Sequence, residues 1–288
     1  MLLPQVINGL TQGSLYALVG IGFVIIFGTL NLVTFAHGEV YMVAAFVGYF
    51  ALGVYHLPWP VALLAGMLAG AVLGMATEKL AFRPMRDAGH MPPLLITIGL
   101  SIILKDLAVI VWGAENRAVP SIYQQTIEIA GVQVSALQVV ILALAGALVG
   151  ALRLLLHGTR IGRAMRATAQ DHEAAYAMGV NINRVFSVAF GLASALGGAA
   201  GVLVGIYYNT VYATMGSTAG LKGFAACIFG GLTSIPGAIL GGLIIGVVEN
   251  LTVQFMASGY RDVVAFVVMV AVLIVRPQGL LGKRLRSI

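Results

Sequence analysis

Asn31, His37, Glu39, Ser101, Lys105, Asp106, Lys222, Glu249 and Asn250 lie in or at the ends of long apolar runs. An ionisable group at the centre of a membrane helix costs about 2.5 to 3.5 kcal/mol on insertion scales, so such groups face a bundle interior or a water-filled cavity. The chemistry open to them is recognition and passage of a polar solute. His37 and Glu39 follow the first apolar run at a glycine-punctuated break, where a discontinuous helix exposes backbone groups to a zwitterionic substrate. An ordinary inter-helix turn with polar tips reaching the interface accounts for them equally well. Glu249 and Lys222 either pair across a helical hairpin or hold separate interfacial positions. Lys105 and Asp106 point apart on a helix and read as structural, and Tyr207 and Tyr208 read as interfacial anchors. The candidate pathway is therefore Asn31, His37, Glu39, Ser101, Lys222 and Glu249.

Covalent chemistry finds no support. His172-Glu173 has no second histidine at metalloprotease spacing, and His37-Gly38-Glu39 lacks further nearby ligands, so no metal site is expected. A Gly-x4-Gly-Lys-Ser/Thr phosphate loop is absent, and any ATP hydrolysis must come from a partner. No nucleophile and base fall into a catalytic pattern, and the chain does not read as an enzyme.

The stretch from His157 to Gly179 is polar and far longer than a turn. Thr168 with Asp171 three residues later reads as a capping box. Ala169 to Met178 are mostly good helix formers, and Gly179 stands where a left-handed C-terminal residue belongs. The spacing predicts one short amphipathic helix over 169–178. Within it, Glu173-Ala174-Ala175 followed by Gly179 is similar to the EAA loop of ABC importer permeases, whose helix docks on an ATPase. Alanines permit close docking, the acid can meet a basic partner, and glycine permits a sharp exit. No Leu-Pro follows, which departs from the longer form of that pattern.

The elements that must position these residues are set by composition. Of 288 residues, 60% are hydrophobic and 9% charged, against about 45–50% and 25% in soluble domains. The bilayer is part of such a fold. Apolar runs of membrane-spanning length fall near 5–27, 40–56, 60–81, 92–112, 136–156 and 184–208. Shorter ones at 221–232, 238–256 and 261–276 make eight to nine segments of an all-α polytopic helical bundle, read as one domain over 1–288. Met1 to Leu10 has no basic region or cleavage site and reads as a retained first helix.

Glycine, 37 residues, exceeds the roughly 20 that average usage of about 7% gives. Small residues let helices in lipid approach closely. Gly66, Gly70 and Gly74 fall four apart, as do Gly197, Gly201 and Gly205, and Gly242 with Gly246, and these are the expected packing faces. Cys227, the single cysteine, reads as a small packing residue.

The net charge of +6 is a topology signal, because its basic residues gather in three short places. These are Lys79, Arg83 and Arg86; Arg153, Arg160, Arg163, Arg166 and Arg184; and Arg276, Lys283, Arg284 and Arg286. All three are expected in the cytoplasm. Counting crossings puts the N-terminus and residues 113–135 outside, and makes 221–256 a hairpin or re-entrant excursion turning at Thr233 to Gly237.

Five stretches in order along the chain resemble the LivH-type permease subunit of branched-chain amino-acid ABC importers. They are Thr34-Phe35-Ala36-His37-Gly38-Glu39-Val40-Tyr41-Met42, Arg83-Pro84-Met85-Arg86 and Gly162-Arg163-Ala164-Met165-Arg166-Ala167. The others are Gly230-Gly231-Leu232-Thr233-Ser234-Ile235-Pro236-Gly237-Ala238 and the tail Arg276 to Gly282. The resemblance implies a bacterial inner-membrane permease paired with a second, related permease. It also implies two cytoplasmic ATPases that bind ATP and Mg, and an extracytoplasmic binding protein. Urea and short-amide permeases share most of these motifs. An ion-coupled secondary transporter is the rival of a different class, and it would more often show deep carboxylate relays or inverted repeats. Nucleic acid is not an expected partner.

Overall fold

The computed structural model describes residues 2–85, 91–122, 125–129, 132–255 and 258–282. Eleven α-helices lie among them: α1 Leu2–Leu30, α2 His37–Tyr49, α3 Trp59–Thr77, α4 Met91–Trp112, α5 Ala136–Gly158, α6 Arg160–Gln170, α7 His172–Ala177, α8 Ile182–Tyr208, α9 Met215–Gly230, α10 Ile235–Phe255 and α11 Arg261–Val275. Helix α2 continues as a π-helical turn over Phe50–Val54, and α3 over Glu78–Phe82. Four short strands pair antiparallel: β1 (Arg117–Ala118) with β4 (Thr210–Val211), and β2 (Thr126–Ile129) with β3 (Val132–Ser135).

Among the described residues, seven helices are long and apolar enough to cross a membrane, and α11 is a shorter apolar helix. The expected segment 221–232 begins six residues earlier, at Met215. Apolar counting passes over Met215 to Gly220 because glycine, serine and threonine dilute it.

Helix α1 is the axis of the bundle. It is buried around its circumference, every residue from Thr11 to Ile26 included. A helix of that kind belongs in a core. Its contacts run with α8, α9, α5 and, above all, α10. The α1–α10 crossing is made by backbone: a Cβ at Gly13 would meet Leu243 Cα at 2.7 Å, and one at Gly242 would meet Ala17 N at 2.6 Å. The other glycine faces meet as follows. Gly66, Gly70 and Gly74 lie against Ser194, Gly198 and Phe190 of α8, whereas Gly197 and Gly201 turn toward His37 and Tyr41 of α2. Gly205 packs on Val211 instead of a neighbouring helix.

The basic segments share one end of the bundle. Ser187 near the start of α8 donates to Glu78 at the end of α3 (2.6 Å). The amides of Leu280 and Leu281 donate to the carbonyls of Phe229 and Gly230 at the α9–α10 turn. That turn needs Gly231 at φ +114 packed on Gly279 at φ +76, a backbone region open to glycine and costly to other residues. Residues 117–118 pair with 210–211 beyond the opposite end of α8. Arg86, Lys283, Arg284 and Arg286 lie outside the described residues.

Candidate functional site

Two polar clusters sit inside the apolar bundle. The first forms where α2 and α9 begin. The His37 ring tip touches Gly22 in the buried middle of α1. Gly38 and Gly220 of α9 approach within van der Waals contact, and both helices thus start within the protein. The positive ends of both helix dipoles fall there.

Glu39, in the first turn of α2, is fully buried. Its Oε1 accepts from Ser217 of α9 (2.9 Å) and from Ser101 of α4 (3.2 Å). Oε2 faces Gly216 and, among the described residues, has no hydrogen-bond partner. A carboxylate left this way favours an added donor strongly, because an unmade bond to a buried charged group is costly. His37, two residues earlier, is buried on a different face of α2, its ring against Gly22 and Gly197 and edge-on to Phe23, centroids 4.9 Å apart.

The second cluster ties α1, α9, α10 and α11 together. Lys222 Nζ lies 3.0 Å from Glu249 Oε1 and 2.7 Å from Asp262 Oδ1. Glu249 Oε2 accepts from Tyr16 (2.9 Å) and Gln12 (3.2 Å). Gln12 also bonds Tyr16, and its Oε1 accepts from Asn250 (3.1 Å). Lys222 reaches the Tyr16 hydroxyl at 3.3 Å. A buried ion pair survives in apolar surroundings only when further hydrogen bonds satisfy its remaining lone pairs and protons, which Gln12, Tyr16 and Asp262 do.

The polar loop is built differently from the expected single helix. Asp171 is extended (φ −159, ψ 115) and breaks the segment into α6 and α7. Its side chain accepts from the Ala174 amide (2.9 Å), so Asp171 is the N-cap of α7, not the third residue of a box begun by Thr168. Thr168 is buried inside α6; the cap of α6 is Thr159, which accepts from Gly162 (3.0 Å). Asp171 competes for the backbone as short polar side chains do, and one N-cap outweighs one more helical turn. Gly179 (φ +84) closes α7: its amide bonds Tyr176 O, and Val180 N bonds Ala175 O, a Schellman pattern. Ala175 is buried, whereas Glu173 and Ala174 are exposed, with Tyr176 73% and Met178 84% exposed. His172 Nε2 stands 2.7 Å from the Thr29 carbonyl near the end of α1.

The branched-chain amino acid transport system permease component family matches residues 5–273. The chain belongs to this family. The permease is 34% identical to the high-affinity branched-chain amino acid transport system permease protein BraD of Pseudomonas aeruginosa, over 98% of this chain and 96% of the relative. It is 35% identical to LivH of Escherichia coli K12 over the same shares. The autoinducer 2 import system permease protein LsrC of an Enterobacter species is 27% identical, over 94% of this chain and 80% of the relative. No solved structure matches significantly.

Within this permease, the expected pathway residues separate. Glu39 and Ser101 meet in the first cluster, His37 packs apart from them against α1 and α8, and Lys222 and Glu249 meet in the second. Asn31 stands apart, exposed at φ 55, where it terminates α1. Ser217, Gln12, Tyr16 and Asp262 are the residues that sequence reading missed. Glutamine at position 12 and tyrosine at 16, four apart on an otherwise apolar helix, are the signal that was available for two of them. Helix α9 joins the clusters, carrying Ser217 to one and Lys222 to the other.

Proposed function

We propose that this permease is the translocating subunit of an ATP-driven importer for branched-chain amino acids. In this reading it pairs with a second, related permease and two ATPases that bind ATP and Mg, and it receives substrate from an extracytoplasmic binding protein. The basic end faces the cytoplasm and residues 113–135 face outward, as the clustering of Lys and Arg at that end supports. The observation that carries the proposal is α7: a short capped helix at the basic end, with Ala174, Tyr176 and Met178 exposed, hydrogen-bonded through His172 to the helix that runs through the core. Apolar side chains exposed together on a loop outside the bilayer are what a docking helix presents to a partner. ATPase closure displaces α7, and the His172–Thr29 contact passes the displacement to α1, which holds Gln12 and Tyr16 in the second cluster.

The first cluster is the proposed contact for the substrate's ammonium group, with Glu39 Oε2 as acceptor. The positive starts of α2 and α9 suit its carboxylate. No covalent step is involved. Reconstitution in vesicles with the partner subunits tests the proposal: leucine uptake that requires ATP and the ATPases is expected. Uptake by the permease alone, driven by an ion gradient, would identify a secondary transporter, and transport of urea in place of leucine would move it to the amide branch.

A further inference from the structure

At the basic end, α1, α5, α6 and the start of α10 enclose an open cleft of about 870 Å³. Its floor is apolar: Ile25 from α1, Leu152 and Leu156 from α5, and Ile239 from α10. Three basic side chains line the mouth, Arg153 and His157 from the last turns of α5 and Arg166 from α6, and no Asp or Glu lines it among the described residues. Ser234 and Ile235, at the start of the 21-residue α10, complete the rim. The start of α10, where Pro236 has no amide proton, adds only the positive end of its helix dipole to the two guanidinium groups. Ser234 itself caps that start by accepting from the Gly237 amide (3.1 Å).

We propose that this cleft binds one anionic phospholipid, its phosphate between Arg153 and Arg166 and an acyl chain along the apolar floor. The combination selects the ligand. A soluble anion would use the arginines and leave the apolar floor wet, and a zwitterionic lipid would bring a cationic group against three basic side chains. A basic mouth over an apolar trough at the end of membrane helices matches a lipid with net negative charge. The cleft shares no lining residue with the buried ammonium contact at Glu39 between α2, α4 and α9.

The purified permease complex, examined by native mass spectrometry with phosphatidylglycerol or phosphatidylcholine of matched chains, tests this. One phosphatidylglycerol per permease copy is expected to stay bound, with phosphatidylcholine lost. R153Q should lower retention about fivefold, as about 1 kcal/mol per basic residue near an anionic lipid implies, and R153K should restore it. Arg166 also donates to the Leu156 carbonyl, so R166Q can disturb the loop. Arg153 is exposed, and its variants leave packing intact. Equal retention of both lipids, or retention unchanged in R153Q, would overturn the proposal. Complete displacement by inorganic phosphate would make it a soluble-anion site instead. A crosslink from a cysteine at Val149 to the second permease would show that protein, not lipid, fills the cleft.

Discussion

Lys222 on α9 and Glu249 on α10 form a buried ion pair, Nζ to Oε1 3.0 Å, across the hairpin whose turn packs on the basic tail. Removing one partner leaves an uncompensated charge in an apolar core, at a cost of about 3–5 kcal/mol. K222M is therefore expected to lower the thermal unfolding temperature of the purified permease sharply. The double change K222M/E249L should recover a large part of that loss, because no unpaired glutamate is left. A double variant no more stable than K222M would show that Asp262 and Tyr16, not the pair, hold the cluster.

The contact between His172 and the Thr29 carbonyl is the link from loop to core. Replacing His172 with alanine removes one hydrogen bond, a net of about 1 kcal/mol, too little to unfold the protein. ATPase binding should persist while ATP-driven uptake falls several-fold. Full uptake in H172A would sever the proposed path through α1.

Ala174 and Ala175, adjacent in sequence, now separate as probes. Ala174 is exposed on α7 and Ala175 is buried. Ala174→Arg should leave the loop folded and abolish ATPase association, read by co-purification. Ala175→Arg should destabilise the loop itself, since burying an unpaired charge costs several kcal/mol. Normal co-purification with Ala174→Arg would mean that α7 is an ordinary surface helix.

A Cβ at Gly70 would press on the Ser194 carbonyl and stand 3.4 Å from Gly198 Cα. Gly70→Leu is expected to prevent α3 from seating on α8, with loss of folded, monodisperse protein. Gly146 has nothing within 4 Å of such a Cβ, so Gly146→Leu should leave yield unchanged. Equal yields for the two variants would remove the packing argument.

The proposed orientation is open to cysteine labelling in intact cells. Thr159Cys at the basic end should resist an impermeant reagent that labels Glu115Cys at the opposite end. Ready labelling at Thr159 would invert the topology.

The membrane class, the approximate positions of the long helices and the clustering of basic residues were all legible in the sequence. Apolar solvent imposes length and composition directly on each spanning segment, and charge bias is a property of loops one can count. The glycine spacings of α3 were likewise visible, because a close backbone approach excludes larger residues at a helical period. Local capping was legible only in part: the left-handed Gly179 was expected, yet Asp171 was read as the third residue of a box begun by Thr168 instead of as the N-cap itself, since Thr168 and Asp171 compete for that role and the winner depends on how α6 packs. The meeting of Glu39 with Ser101 and Ser217, of Lys222 with Asp262 and Tyr16, and of Glu249 with Gln12, was decided by tertiary structure alone. These residues lie from tens to hundreds of positions apart, and no local period encodes which faces of α1, α2, α4, α9, α10 and α11 turn toward one another. That choice belongs to helix packing, where backbone approach at Gly13, Gly38 and Gly242 sets the crossings and so brings the polar side chains within reach.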